Sequence, residues 1–548
     1  MENNSKIINH INQMFHNNGI KQEERFNLLI VLLENIKNGK SSDNKFNELL
    51  QLISSFDYTN ADLMQEIFMI IGSKYTKYNL DQFYTPTTIS KFINNLMIVG
   101  DEYNAIDPAG GTGDLLLHYK GNKTIWDIDE NALKLCKFNY ELNKQSNYNL
   151  LCKNSLESFE GHEESYFYSV MNPPFGSNTI ITEEKILDKF ELGKGKKKQE
   201  IGILFIELGL KLLKTDGILF VIVPAGYVGN KNKTCSESRD LILKNRLIAS
   251  LSLPENTFKR SGTGVNTYLL IIQKKILDEP YNVFISNINN IGYNLSKKET
   301  PNKYKIVKET GSVIIDSNGK PILDNDLEDI YIKLGSFIAD NNITKLRSSN
   351  IDTDYEYIET NKLSANILDI KRYLQSYLEV TEALKMNGAT TVNKLGKIIN
   401  AATKIEKTKQ YKYIDISEIN SPLYSYKALY GWELPSRAKY SVKKNDILIS
   451  KLEGTMSYCV ILDDNENYIA TNGVTVIRPN NINSLYILMA NIMNKNFTSQ
   501  HTAYLTGSIM ASLSDSDIEE FLINDKTVDI DSTKKILDTL ETLQKLRM

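Results

Sequence analysis

Apolar positions near the start of the chain recur at helical spacing. Ile7, Ile8, Ile11 and Phe15 fall on one face, as do Leu28, Leu29, Val31 and Leu32. The spacing predicts a small helical domain over residues 1–75 that offers no catalytic chemistry. From about Tyr78 the texture changes to short apolar runs alternating with helical ones, which predicts βα units and a mostly parallel sheet over 76–315. Candidate strands end in AIDP, in the run from Thr124 to Asp129, in NYNLLCKN, in SVMNPPF and in GILFVIVP. The pair around LSLPENTF and GVNTYLLIIQKK completes the sheet, with a terminal hairpin expected there. Residues 316–385 are polar and mixed helical and read as a connector. A β-rich region over 386–530 follows, and a helix over 531–548 carries the stripe Ile536, Leu537, Leu540, Leu543 and Leu546. That stripe suits packing within the chain or pairing of two chains.

Composition narrows the picture without deciding it. The 548 residues exceed one core, and a net charge of -3 with 24% charged residues gives no global polyanion-binding signature. Any nucleic-acid surface is therefore local. Four cysteines lie far apart without metal-ligand spacing, which supports neither a zinc site nor a disulfide framework and suits a reducing cytosol. Neither an amino-terminal secretion signal nor an apolar run of membrane-spanning length is read, so no membrane role is expected.

Three stretches carry chemistry. In DPAGGTGDLLL, Gly110, Gly111 and Gly113 allow a tight turn and a close ligand approach between a strand and a helix, although a purely structural turn uses the same residues. Asp127, at the end of the next strand, is placed to reach ribose hydroxyls, and Asp129 is placed to cap the following helix. The carboxylate favours a nucleotide-type ligand. No GxxxxGK[ST] segment is present, which disfavours ATP. In SVMNPPFG, Asn172 offers a side-chain acceptor, Pro173 a carbonyl without an N–H, and Phe175 a flat ring, while Pro173 and Pro174 hold the backbone rigid. Such a set suits a planar heterocycle with an exocyclic amino group. The lysines of ELGKGKKKQE, Lys196, Lys197 and Lys198 among them, form a basic loop that suits phosphates or plain solvent exposure.

These residues resemble the gamma-class DNA adenine-N6 methyltransferases that use S-adenosyl-L-methionine (AdoMet), especially the modification subunits of type I restriction systems. Gln82-Phe83-Tyr84-Thr85-Pro86, DPAGGTGDLL and NPPF match that family's elements in order, and the similarity runs to about residue 330. The resemblance implies an α/β fold: a Rossmann-like methyltransferase sheet with an N-terminal helical domain and a C-terminal α+β target-recognition domain. It also implies that Gln82, Tyr84, Thr85, Pro86, Asp107, Ala109, Gly110, Gly111 and Gly113 line the AdoMet pocket, with Asp127 on the ribose. Asn154 stands where the family usually places an aspartate against the AdoMet adenine. Asn172, Pro173, Pro174 and Phe175 would be catalytic, and Phe258 would face the second side of the target base.

The C-terminal segments, from VNKLGKIIN to LTGSIMASLSDSDIEEFLI, resemble one recognition domain of a type I specificity subunit. Lysines and aromatics are interleaved there. Arg437, Lys439 and Lys451, with Tyr411, Tyr424, Tyr430 and Trp432, suit phosphate and base contacts. The expected partners are double-stranded DNA and a restriction or specificity subunit, in a monomer or homodimer within a bacterial or viral-host cytosol. A modification subunit that requires a separate specificity or nuclease partner is the nearest alternative, and an RNA or protein methyltransferase and a catalytically idle DNA-binding protein are the others.

Overall fold

The computed structural model describes residues 4–37, 47–56, 67, 71, 85–175, 179–255, 257–258, 264–293, 303–317, 319, 321–454, 456–464, 467–507 and 511–547. The chain divides into two units, Met1–Ile370 and Lys371–Met548.

Helices α1 (Asn4–Asn17), α2 (Gln22–Lys37) and α3 (Asn47–Ser54) open the first unit. They bury Ile7, Ile8, Ile11 and Phe15 against Leu29, Leu32 and Leu33, as the spacing predicts, while Val31 faces out at 49% exposure. Their cluster also takes in Leu135, so the helices pack on the sheet's own flank within this unit.

After helix α4 (Thr87–Leu96) come β1 (Ala105–Asp107), β2 (Lys123–Asp127), helix α5 (Glu130–Leu142), β3 (Tyr148–Cys152) and β4 (Tyr166–Met171). Then follow α6 (Ile201–Leu212), β5 (Leu213–Pro224), α7 (Ala225–Gly229), α8 (Lys233–Leu243), β6 (Arg246–Ser252), β7 (Thr267–Gln273) and β8 (Asn282–Asn287). Helix α9 (Leu327–Asp340) and β9 (Tyr357–Glu359) complete the unit. One nine-stranded sheet runs β9-β8-β6-β7-β5-β4-β1-β2-β3. Strands β3, β2, β1, β4 and β5 are parallel, and β7 lies antiparallel between β5 and β6. Strands β6 and β7 thus form the expected hairpin, but β8 and β9 extend the sheet beyond it. Strands β4, β6 and β7 are buried at every position, which is why they read as continuous apolar runs: helices cover both faces.

The connector expected over 316–385 is corrected by the structure. Leu327, Ile330, Leu334, Phe337 and Ile338 of α9 belong to the main core with Phe284, and β9 pairs with β8. Tyr268 donates to Asp369 at 2.8 Å, so the chain remains part of the first unit up to Ile370. Polar loops around α9 hid its apolar face in the sequence.

The second unit is α+β. One sheet joins β10 (Gly396–Ile398), β17 (Val474–Pro479), β14 (Ile447–Ser450) and β15 (Tyr458–Val460) in that order. The other joins β12 (Lys427–Tyr430), β11 (Gln410–Ile414), β16 (Tyr468–Thr471) and β13 (Ala438–Val442). A closing helix, α10 (Ile530–Arg547), packs inside this unit through Leu537 and Leu540. Its Gln544 brackets the Tyr424 backbone, accepting from the N–H at 3.3 Å and donating to the carbonyl at 2.8 Å. Among the described residues no helix is long and apolar enough to cross a membrane, and no metal-binding cluster of His, Cys, Asp and Glu occurs.

Candidate active site

Strand order places the site. The chain fills the sheet outward from β1 through β2 to β3, then returns to the other side of β1 with β4. The crevice between the carboxyl ends of β1 and β4 is a topological switch point, where open α/β sheets bind ligands. The glycine loop leaves β1 there, and NPPF leaves β4.

Asp107 ends β1 beneath the loop, 1% exposed, and its carboxylate accepts the Ala109 N–H at 3.1 Å. Burial, resisted by that hydrogen bond, pushes its carboxyl well above the usual carboxylate range. It shapes the loop from below. Gly110 N–H donates to Trp126 O at 2.9 Å, and a Cβ on Gly110 would sit 2.2 Å from Ile125 Cγ2. At Gly113 the backbone is left-handed (φ 76°), and a Cβ would lie 2.4 Å from Cys136 Sγ. Gly111 differs, for an added Cβ there meets nothing within 4 Å. The loop is therefore packed on its back and open at Gly111, as a backbone cradle for a ligand must be.

Side chains from the flanking helices lock the back of this loop. Ser90 donates to Asp114 O at 2.6 Å and Asn94 to Leu115 O at 2.6 Å, both from α4. From α5, Tyr140 donates its hydroxyl to Gly113 O at 2.9 Å, and Asn139 reaches Asp114 Oδ1 at 3.3 Å. Ser155, after β3, donates to Pro108 O at 2.5 Å. Sequence reading missed all five. The available clue was polar residues at i, i+4 spacing on an apolar helix face, as in Ser90 and Asn94.

Asp127 ends β2, 7% exposed, and its two oxygens accept from Gly111 N–H at 2.7 Å and Asp129 N–H at 2.8 Å. It thus ties the open turn to the second strand. Burial raises its pKa to about 6 against those two hydrogen bonds. Asp129 caps α5 by accepting from Asn131 N–H, as expected. Asn154 follows β3, and its side-chain oxygen accepts from Leu156 N–H at 3.1 Å, so this amide also caps a turn.

The NPPF segment meets helix α4 at its start. Asn172 Nδ2 donates to Thr85 Oγ1 at 3.2 Å, with Pro86 capping the helix beside it. Gln82 and Tyr84 lie outside the described residues. Phe175 and Phe258 are both buried, at 1% and 0% exposure, and their rings touch edge to face with centroids 6.0 Å apart. Two plates flanking a base would be parallel with a gap, so the expected pairing of Phe258 across a base from Phe175 is not what this geometry holds. Apolar rings in one core pack on each other instead.

Residues 190–196 form successive hydrogen-bonded turns, with Glu191 and Leu192 N–H donating to the buried Glu207 carboxylate at 2.7 and 2.9 Å. Lys196 pairs with Glu237 at 2.5 Å, while Lys197 and Lys198 are exposed. In the second unit Arg437, 58% exposed at its side chain, pairs with Asp415 and donates to Tyr413 OH at 3.2 Å. Lys439 lies over the Tyr440 ring. Lys451 is corrected as a surface contact: its side chain is 13% exposed and its ammonium sits 2.7 Å from Asp515. Tyr411 and Tyr424 are core residues, whereas Tyr430 and Trp432 are exposed.

Residues 59–321 match the family described as N-6 DNA methylase, and residues 385–547 match the type I restriction modification DNA specificity domain. Among curated proteins, the methylase subunit of the type I restriction enzyme EcoEI from Escherichia coli is 25% identical over 253 residues, 42% of this chain and 49% of that subunit. The corresponding MjaVII subunit of Methanocaldococcus jannaschii is 22% identical over 235 residues, 38% of this chain and 40% of that one. The chain thus matches half or less of the length of these relatives. A type I methyltransferase subunit from Streptococcus thermophilus aligns with TM-score 0.42 at 17% identity, covering 67% of this chain and 79% of that one. The type IIG restriction endonuclease BpuSI aligns with TM-score 0.46 at 12% identity, covering 91% and 66%.

Proposed function

We propose, for a chain that fuses an N-6 DNA methylase domain to a type I DNA specificity domain, that it transfers a methyl group from AdoMet to N6 of an adenine in a specific, non-palindromic duplex sequence. The observation that carries this reading is the meeting of Asn172 with Thr85 across the switch point from the open glycine cradle. A polar amide and a ligand loop are thereby set on one crevice.

AdoMet, when bound, supplies a sulfonium-activated methyl group. The cradle at Gly111 fits such a ligand, and the ionised Asp127 beneath it suits both ribose hydroxyls and a cation. Adenine N6 is a poor nucleophile because its lone pair is delocalised into the ring. Asn172 Oδ1 and the Pro173 carbonyl, accepting both N6 protons, would favour the pyramidal nitrogen and stabilise the charge that develops on it. The base must leave the duplex to reach these groups, at a cost of a few kcal/mol. Stacking it on Phe175 requires that ring to turn out of its contact with Phe258.

Sequencing that detects N6-methyladenine in DNA from a host expressing this chain tests the reading. One motif modified on one strand is expected, and a palindrome modified on both strands would contradict the single-domain recognition. A second reading, a modification subunit dependent on a separate specificity or nuclease protein, is favoured by the names of the two curated relatives. Methyl transfer by the purified chain alone would exclude it.

The lysines separate by role in duplex binding and stability. Lys439→Ala is expected to reduce the salt dependence of duplex binding by about one phosphate contact. Lys451→Ala should leave that slope unchanged and instead lower stability by on the order of 2 kcal/mol, since it strands Asp515 partly buried. Salt titrations and thermal melts of both variants distinguish the two outcomes.

A further inference from the structure

The end of β12 and the turn after it hold two aromatic rings on the surface of the second unit. Tyr430 and Trp432 are 41% and 58% exposed and stack face to face, with centroids 4.6 Å apart and planes 6° apart. Their backbone is fixed from below. Gly431 N–H donates to Lys409 O at 3.0 Å, Trp432 N–H to Lys407 O at 3.2 Å, and Tyr430 N–H to the Glu433 carboxylate at 2.8 Å. A Cβ on Gly431 would lie 2.2 Å from Glu406 O, so this close approach depends on glycine. Two large rings held rigidly in water forgo burial that either could have gained in a core, and rigid aromatic surface suits a flat partner.

The surroundings indicate which partner. Lys404, Lys407 and Lys409 are exposed on the segment beneath the rings, and Arg437 and Lys439 lie on the chain that follows. Arg437 pairs with Asp415, but Lys404, Lys407, Lys409 and Lys439 make no ion pair among the described residues. An apolar protein patch would meet uncompensated cations here. A polyanion with flat apolar faces satisfies both features, since bases stack on aromatic rings while lysines take phosphates. We propose that the Tyr430–Trp432 stack is a base-stacking platform through which this unit grips duplex DNA at a locally unstacked step. The platform rests on the reading that the chain modifies DNA.

The test uses the full chain and a duplex carrying the sequence found methylated in the expressing host. Trp432→Ala and Tyr430→Ala should each bind that duplex on the order of 10- to 100-fold more weakly, with melting temperature and AdoMet binding kept. Trp432→Phe, which retains a π face, should keep most of the affinity. The chain has two tryptophans, and the other, Trp126, is buried in the first unit. Duplex should therefore quench Trp432 emission in the wild type, and the quench should vanish in Trp432→Phe. A folded Trp432→Ala chain with wild-type affinity, or emission indifferent to duplex, overturns the platform and leaves the methyltransferase reading standing. An expressing host whose DNA gains no N6-methyladenine, together with a wild-type chain that binds no duplex, overturns both.

Discussion

Asn172→Ala is expected to lower the rate of methyl transfer by at least about 10²–10³-fold while AdoMet and duplex affinities stay within a few-fold. The residue sits immediately after β4 at the switch point, and its amide nitrogen is held by Thr85 Oγ1 at 3.2 Å. An amide anchored by its nitrogen presents its oxygen as the acceptor. Removing that acceptor deletes an interaction worth most when the amino nitrogen becomes pyramidal and positive, so the loss belongs in kcat and not in KM. Asn172→Asp keeps an acceptor and should retain part of the rate. Single-turnover transfer of labelled methyl measures both variants, and wild-type turnover by Asn172→Ala would sink the mechanism.

Asp127→Ala should weaken AdoMet binding by about 10- to 100-fold, because it removes charged hydrogen bonds worth roughly 1.5–3 kcal/mol each. The carboxylate holds Gly111 N–H and Asp129 N–H, and in the proposed complex it would also reach the ribose. Burial raises its pKa to about 6 from the ordinary aspartate value of 3.8. The sign of the stability effect follows from linkage. The folded state holds this proton more tightly than the unfolded chain, so the contribution is full below about pH 4 and is lost as pH rises through about 6. Ligand binding runs the other way. AdoMet affinity should fall as pH drops below about 6, and Asp127→Asn should be weak and flat across that range. Calorimetric titration from pH 5 to 8 checks this, and a wild-type affinity flat with pH would remove the ionised carboxylate from the binding role.

Much of this was legible in the sequence because the chemistry is local. The glycine loop, Asp127 and NPPF each lie at a strand end, and a period-two or continuous apolar run marks a strand end well. The parallel order and the closing hairpin followed from the same runs. What was hidden depended on contacts distant in sequence. Helix α9 lies more than 30 residues beyond the last residue of β8, Asn287, and its role in the core is visible only from its packing on Phe284. Lys451 read as a surface cation because nothing in its neighbourhood names Asp515 as a partner. Phe175 and Phe258 read as base-stacking rings, yet no pattern of single residues could say that they would meet each other first. The five polar side chains behind the glycine loop were missed because each was weighed as part of its own helix or turn.

In the proposed function that clamp would set the thermodynamic character of cofactor capture. Hydrogen bonds from Ser90, Asn94, Tyr140 and Ser155 leave the loop few conformations before any ligand arrives. The entropy of ordering it is settled when the domain folds, so little remains to be lost on binding. Affinity should then track the contacts themselves, and substitutions behind the loop should weaken binding through increased disorder although they touch no ligand atom.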